Sequence, residues 1–200
     1  MWKSLKYLSL LGGVGVLCAG SAGFVLAQEP AHEMDEAMAR VMKYAQPGEH
    51  HQHLARQAGT WKAQGTFWMQ PGAPPVQSTG TAKNSLILGG RFLMTEYSGD
   101  FMSQPFQGIG LEGYDIDQDK NVGVWADSMG TMMMSFEGHC TEGGKVRTMT
   151  SQFKDPATGQ MTSMKAVTSI QGPDKHTYTA WMGPNAEEMK KVMEIVYTRQ

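Results

Sequence analysis

Beyond residue 60 the chain alternates apolar and polar positions in short runs, the two-residue period that lays successive side chains on opposite faces of a strand. Runs rich in Thr, Val, Tyr, Phe and Trp predict strands at 60–69, 76–88, 91–98, 106–115, 121–128, 131–140, 145–153, 161–171, 175–182 and 190–199. Turn-forming residues divide them: Gln70-Pro71-Gly72, Gly89-Gly90, Asp117-Gln118-Asp119, Glu142-Gly143-Gly144, Asp155-Pro156 with Gly159, Gly172-Pro173-Asp174 and Gly183-Pro184-Asn185. Residues 28–58 carry a different period. Met34, Met38, Val41, Met42 and Ala45 recur at helical spacing until Pro47-Gly48, and a second short helix is expected from Glu49 to Ala58, stopped by Gly59. A mainly β fold follows: a single up-and-down antiparallel β-barrel of about ten strands, closed to remove its edges, behind a short helical segment. A two-sheet sandwich is the rival arrangement.

The two ends of this meander carry a matched pair. Gly59-Thr60-Trp61 stands where the helical segment enters the first strand, and Arg199 is the second-last residue of the last. In a closed barrel they are neighbours, so an indole that plugs one end and a guanidinium laid over it combine apolar closure with a cation–π contact. Gly59 gives the backbone room to approach.

The stretches Leu54-Ala55-Arg56-Gln57-Ala58-Gly59-Thr60-Trp61, Gly72-Ala73-Pro74-Pro75, Ile87-Leu88-Gly89-Gly90-Arg91-Phe92-Leu93, Gly113-Tyr114-Asp115 and Trp125-Ala126-Asp127-Ser128-Met129-Gly130 resemble the bacterial family DUF1579. That family is grouped with the calycins, which include lipocalins, fatty-acid-binding proteins and nitrobindin-like barrels. The resemblance implies a calycin-type barrel over residues 59–200 and brings no established activity with it. Its nitrobindin-like relatives suggest haem, for which His176 and His139 are the strand histidines available as axial ligands. Gln57 departs from the pattern, because an apolar helix residue is expected there.

Residues 1–27 read as a secretory signal: Lys3 and Lys6 give a positive start, Leu8 to Leu17 an apolar run, and Val25-Leu26-Ala27 a cleavage site, so export to the periplasm or beyond is expected. The apolar run is too short for a stable membrane span, which needs about 20 residues. Leu17 before Cys18 does not suit a lipid anchor. Loss of Lys3 and Lys6 shifts the net charge from −2 to −4, which disfavours a nucleic-acid partner. Loss of Cys18 leaves Cys140 alone, so no internal disulfide forms.

No catalytic motif survives its context. Gly108-Ile109-Gly110-Leu111-Glu112-Gly113 spells a dinucleotide fingerprint, but Tyr114-Asp115 and a turn follow where a helix is required. Asp115, Asp117 and Asp119 open like a calcium loop, yet Lys120 and Ala126 occupy the positions of its Gly and Glu. Neither Ser128 nor Cys140 has an identifiable base, so the chain is expected not to be an enzyme.

Three readings of function remain. Arg91, Thr95 and Tyr97 share one strand face, and Trp125 and Asp127 another. With Met132 and Met134 they form the candidate cavity of a barrel that binds a small apolar ligand. The second reading is metal: Met132 and Met134 with His139 and Cys140 suit Cu(I), and His50 with His53 suits zinc or copper. The third is a solid-core structural or interaction protein.

Overall fold

The computed structural model describes residues 31–200 except Pro71, with side chains from Asp35 onward. The signal-peptide reading of residues 1–27, Cys18, the Met34 side chain and Pro71 fall outside that description. The chain divides after Ala39. The first unit is described only from the opening turns of helix α1 (Ala31–Ala45). The second, from Arg40, carries the end of α1, where Val41 and Met42 are exposed, helix α2 (Glu49–Ala55) and all the strands.

The strands are β1 (Gly59–Phe67), β2 (Val76–Ile87), β3 (Phe92–Phe101), β4 (Gln104–Asp115), β5 (Lys120–Asp127), β6 (Met133–Thr141), β7 (Val146–Lys154), β8 (Met161–Gly172), β9 (Lys175–Gly183) and β10 (Lys190–Arg199). Each pairs antiparallel with its neighbour in sequence, and β1 pairs with β10 as well as β2, which closes the barrel and excludes the sandwich. Trp61 is the direct partner of Arg199 in that closing ladder.

Strand starts differ from expectation by at most two residues, and two of these shifts move candidate residues out of their strands. A single 3-10 turn at Leu88–Gly90, with Gly89 and Gly90 at positive φ, turns the chain so that β3 begins at Phe92 and leaves Arg91 outside it. Met132 lies in the β5–β6 connection, one residue short of β6.

Period two sorts the side chains. Trp61, Ala63, Ala82, Tyr97, Met149, Met164, Ala166, Ala180 and Ile195 are buried on the inner face. Eight strands make a barrel just wide enough for side chains to fill, and the bore grows with strand number. Ten strands whose inner positions include Ala63, Ala82, Ala166 and Ala180 therefore enclose space that their side chains do not occupy.

One end of this space is shut. Trp61 is 1% exposed, its indole N–H donates to the Gln57 carbonyl at 2.8 Å, and the Arg199 guanidinium lies 4.1 Å above its ring. Arg199 also donates to the carbonyls of Ala58 (2.9 Å), Pro173 (2.8 Å) and Arg56 (3.3 Å), so one side chain ties the α2–β1 junction to the β8–β9 turn. A Cβ on Gly59, at φ 125°, would strike that guanidinium. Glycine is thus required twice over at this position. Gln57 lies beyond α2 and does not pack as an apolar helix residue would. It is buried as the hub of the plug, its carbonyl accepting from Trp61 and from Asn84 (2.9 Å).

Candidate functional site

The lumen above the plug is a cavity of about 350 Å³. Pockets that hold small molecules run from roughly 300 to 1,000 Å³ and combine apolar walls with a few placed polar groups. At a water's share of about 30 Å³, this one has room for roughly a dozen non-hydrogen atoms.

Its walls change character with depth. Toward the β3–β4 and β5–β6 connections the lining is Phe67, Phe101, Phe106, Met129 and Met134. Phe67 and Phe101 meet edge to face at 4.9 Å, and Phe106 packs against Tyr97 at 5.7 Å. Toward the plug the lining is Gln57, Asn84, Glu112, Arg147, Thr168 and His176. Arg147, 4% exposed, is spoken for on two sides: Nη2 lies 2.5 Å from the Glu112 carboxylate, and Nη1 donates to Gln57 Oε1 at 2.8 Å. An unpaired guanidinium at this depth would carry a heavy desolvation cost, which the carboxylate and the amide offset.

Between rim and floor sit Tyr178 and Tyr197. Burial holds both phenols above their ordinary range, with neighbouring tyrosines or Glu112 acting in the same direction. Neither hydroxyl has a hydrogen-bond partner among the described residues. Tyr97 is engaged by the Ser78 hydroxyl, and its pKa is also raised, chiefly by burial.

His176 lies under the plug, 4.3 Å from the edge of Trp61 and stacked at 4.5 Å on Tyr197. Burial lowers its pKa from 6.5 to about 4, helped by the Arg147 and Arg199 guanidinium groups, so the imidazole is neutral at pH 7. Because the folded value is depressed, the unfolded chain binds more protons in this window. Stability is complete above about pH 6.5 and is lost as the pH falls toward 4, by about 3 kcal/mol from this residue. His51 and His53, also shifted down chiefly by burial, act in the same direction. The thermal midpoint is expected to fall between pH 6.5 and 4, and His176→Phe to flatten that slope. An unchanged slope in the variant would refute the assignment.

Of the candidate residues, Tyr97, Trp125, Asp127 and Met134 line the lumen, as does Thr95. Trp125 Nε1 donates to Asp127 at 2.9 Å, and Asp127 also accepts from the Met129 backbone N–H at 3.0 Å. Gly108 and Gly110 make room for this indole: a Cβ at Gly108 would overlap its six-membered ring. The glycines of the fingerprint-like run thus serve packing inside β4, and no helix follows them. Arg91 does not belong to the lumen. Its guanidinium donates to the Leu88 and Ala45 carbonyls, because the turn before β3 directs it to the C-terminal end of α1. Met132 is likewise outside, in an exposed loop.

The copper set comes apart. Met134 and Cys140 are six residues apart on β6, roughly 20 Å at the rise of a strand. His139 is exposed on the outer face while Cys140 is half-buried on the inner one. The Cys140 thiol donates to Asn121 Oδ1 at 3.1 Å, and burial pushes its pKa up, away from the thiolate that binds metal. The His50 ring is stacked on Tyr114 at 4.0 Å and meets His53 edge to face at 5.5 Å. Among the described residues no three His, Cys, Asp or Glu side chains gather to hold a metal. In the 115–119 turn the Asp115 carboxylate accepts from the backbone N–H groups of Asp117 (2.9 Å) and Gln118 (3.1 Å), closing its own turn. Haem does not fit either: His139 faces outward, His176 is clamped between rings, and the cavity holds far fewer atoms than a haem contains.

The pattern of letters missed Gln57, Glu112, Arg147, Tyr178 and Tyr197. Alternation held a signal for two of them, since Arg147 shares a strand face with Met149 and Glu112 one with Gly108 and Gly110.

The family model for DUF1579, described as a protein of unknown function, matches residues 46–199, which take in α2 and essentially all of the barrel. The chain belongs to the DUF1579 family. Two solved structures share the family member's fold. Rv2717c from M. tuberculosis is 17% identical over 78% of this chain and 99% of its own, with a TM-score of 0.56. The S-type phycobiliprotein lyase CPES from Guillardia theta is 8% identical over 74% of this chain and 91% of its own, with a TM-score of 0.51. No curated protein matches the chain.

Proposed function

We propose that this DUF1579 protein is a non-catalytic barrel, exported to the periplasm or beyond, that takes up a small and largely apolar ligand. The observation that carries the reading is the lumen itself: about 350 Å³, aromatic and Met-lined toward one end, sealed by Trp61 at the other, with two phenol hydroxyls left unpaired between them. A solid-core protein would have no such space. Export rests on Lys3, Lys6, the Leu8 to Leu17 run and Val25-Leu26-Ala27.

Native mass spectrometry of the protein purified from an exporting host tests both parts. The expected species is a chain beginning at Gln28 that carries one retained apolar molecule, or gains one from a panel of lipophiles. A chain that retains Met1 sinks the export reading, and one that takes up nothing sinks the binding reading.

A further inference from the structure

The ionised side chains that line the lumen are Glu112, Asp127 and Arg147. The one cation among them is already held by Glu112 and Gln57. Asp127, on the rim side, places a carboxylate where an incoming ligand must pass, and His176 at the floor is neutral at pH 7. The lumen thus carries a net negative charge, and its one guanidinium is neutralised by Glu112, with only the Arg147 Nε–H left without a partner. A carboxylate brought here would lose its hydration beside the Glu112 and Asp127 carboxylates, with a single Arg147 N–H to replace the lost water, an exchange that disfavours the charged head. An ammonium would fare little better: the Glu112 charge is taken by Arg147, and Asp127 already accepts from Trp125 and Met129.

The hydroxyls left open are those of Tyr178 and Tyr197; nearer the plug, Asn84 Oδ1, Arg147 Nε and His176 Nδ1 also lack a hydrogen-bond partner. The two tyrosines lie on adjacent antiparallel strands, Tyr197 opposite His176 and Tyr178 opposite Ile195. Each phenol both donates and accepts, and burial keeps both protonated. Such a pair complements a group that is itself donor and acceptor without charge.

We propose that the lumen selects an uncharged amphiphile, whose hydroxyl or carbonyl group bonds to Tyr178 and Tyr197 while its apolar body lies toward Phe67, Phe101 and Phe106, and that it rejects the carboxylate of the same length. This inference rests on the ligand-binding reading above. The space for about a dozen non-hydrogen atoms sets the size of the probe.

The test is calorimetric titration of the full barrel at pH 7 with decan-1-ol, decanoate and decylammonium, which share one chain and differ in the head. The alcohol is expected to bind one to one and at least about tenfold more tightly than either ion. The Tyr178→Phe/Tyr197→Phe double variant is expected to weaken alcohol binding by about tenfold, as two lost neutral hydrogen bonds imply. An unaltered thermal midpoint shows that this loss is local. Equal or tighter binding of decanoate or decylammonium overturns the selection and leaves the ligand-binding reading standing. Full alcohol affinity in the double variant overturns the role of the two tyrosines. Failure of all three probes to bind removes the selection and counts against the parent reading.

Discussion

Replacing Trp61 with alanine is expected to cost about 4 kcal/mol of stability, the upper part of the range for a buried aromatic, and to lower the thermal midpoint by about 10 °C or more. Three losses add. The indole is 1% exposed, so its apolar area returns to water or leaves a void. The Arg199 guanidinium, 4.1 Å from the ring, loses the face it covers, and the N–H donated to Gln57 disappears. The void opens at the β1–β10 seam that closes the barrel, where Trp61 and Arg199 are direct partners. Neighbouring side chains cannot collapse into it without breaking that ladder. Trp61→Phe keeps a ring under the guanidinium and should lose about half as much. Thermal denaturation of both variants decides the matter: a change of only a degree or two in the alanine variant would mean that closure does not depend on the plug.

Arg147→Met should be nearly as costly, at about 3 kcal/mol, for a different reason. The substitution keeps much of the side-chain volume, so the penalty is electrostatic. Glu112 is left as a half-buried carboxylate without its cation 2.5 Å away, and Gln57 Oε1 loses its donor inside the plug. Glu112→Gln in the same chain removes the stranded charge and should restore more than half of the loss. The non-additivity of the pair, read from urea midpoints of the two single variants and the double, measures the interaction directly. If the double variant is no more stable than Arg147→Met alone, the guanidinium is held by something other than Glu112.

The strands were legible because a closed meander obeys local rules. Each run had to alternate and each turn needed Gly, Pro, Asn or Asp, so all ten predicted starts fall within two residues of those observed, the small shifts before Phe92 and Met133 coming where a glycine turn or a loop intervenes. The plug was legible because Gly59, Trp61 and Arg199 sit at the two chain positions that closure brings together. The lumen was only partly legible. Tyr97, Trp125 and Asp127 follow from alternation along their own strands. Arg91 did not, because Gly89 and Gly90 turn the backbone before the strand begins. The grouping of Met132, Met134, His139 and Cys140 treated nearness along the chain as nearness in space. A strand defeats that equation twice, by its rise of about 3.3 Å per residue and by sending neighbours to opposite faces.

By itself, then, the sequence determined the elements, their order, their antiparallel pairing and the residues that seal one end, since all of these depend on local period and on the adjacency of first and last strands. Only the tertiary structure decided that the interior is hollow and which polar groups it holds. Glu112 on β4 and Arg147 on β7 are not paired strands, and they meet because the sheet closes around a lumen. The same closure leaves the Tyr178 and Tyr197 hydroxyls unpaired. Whether a bore stays empty depends on the summed volume of inward side chains from ten strands against its width, a quantity that no single stretch of sequence contains.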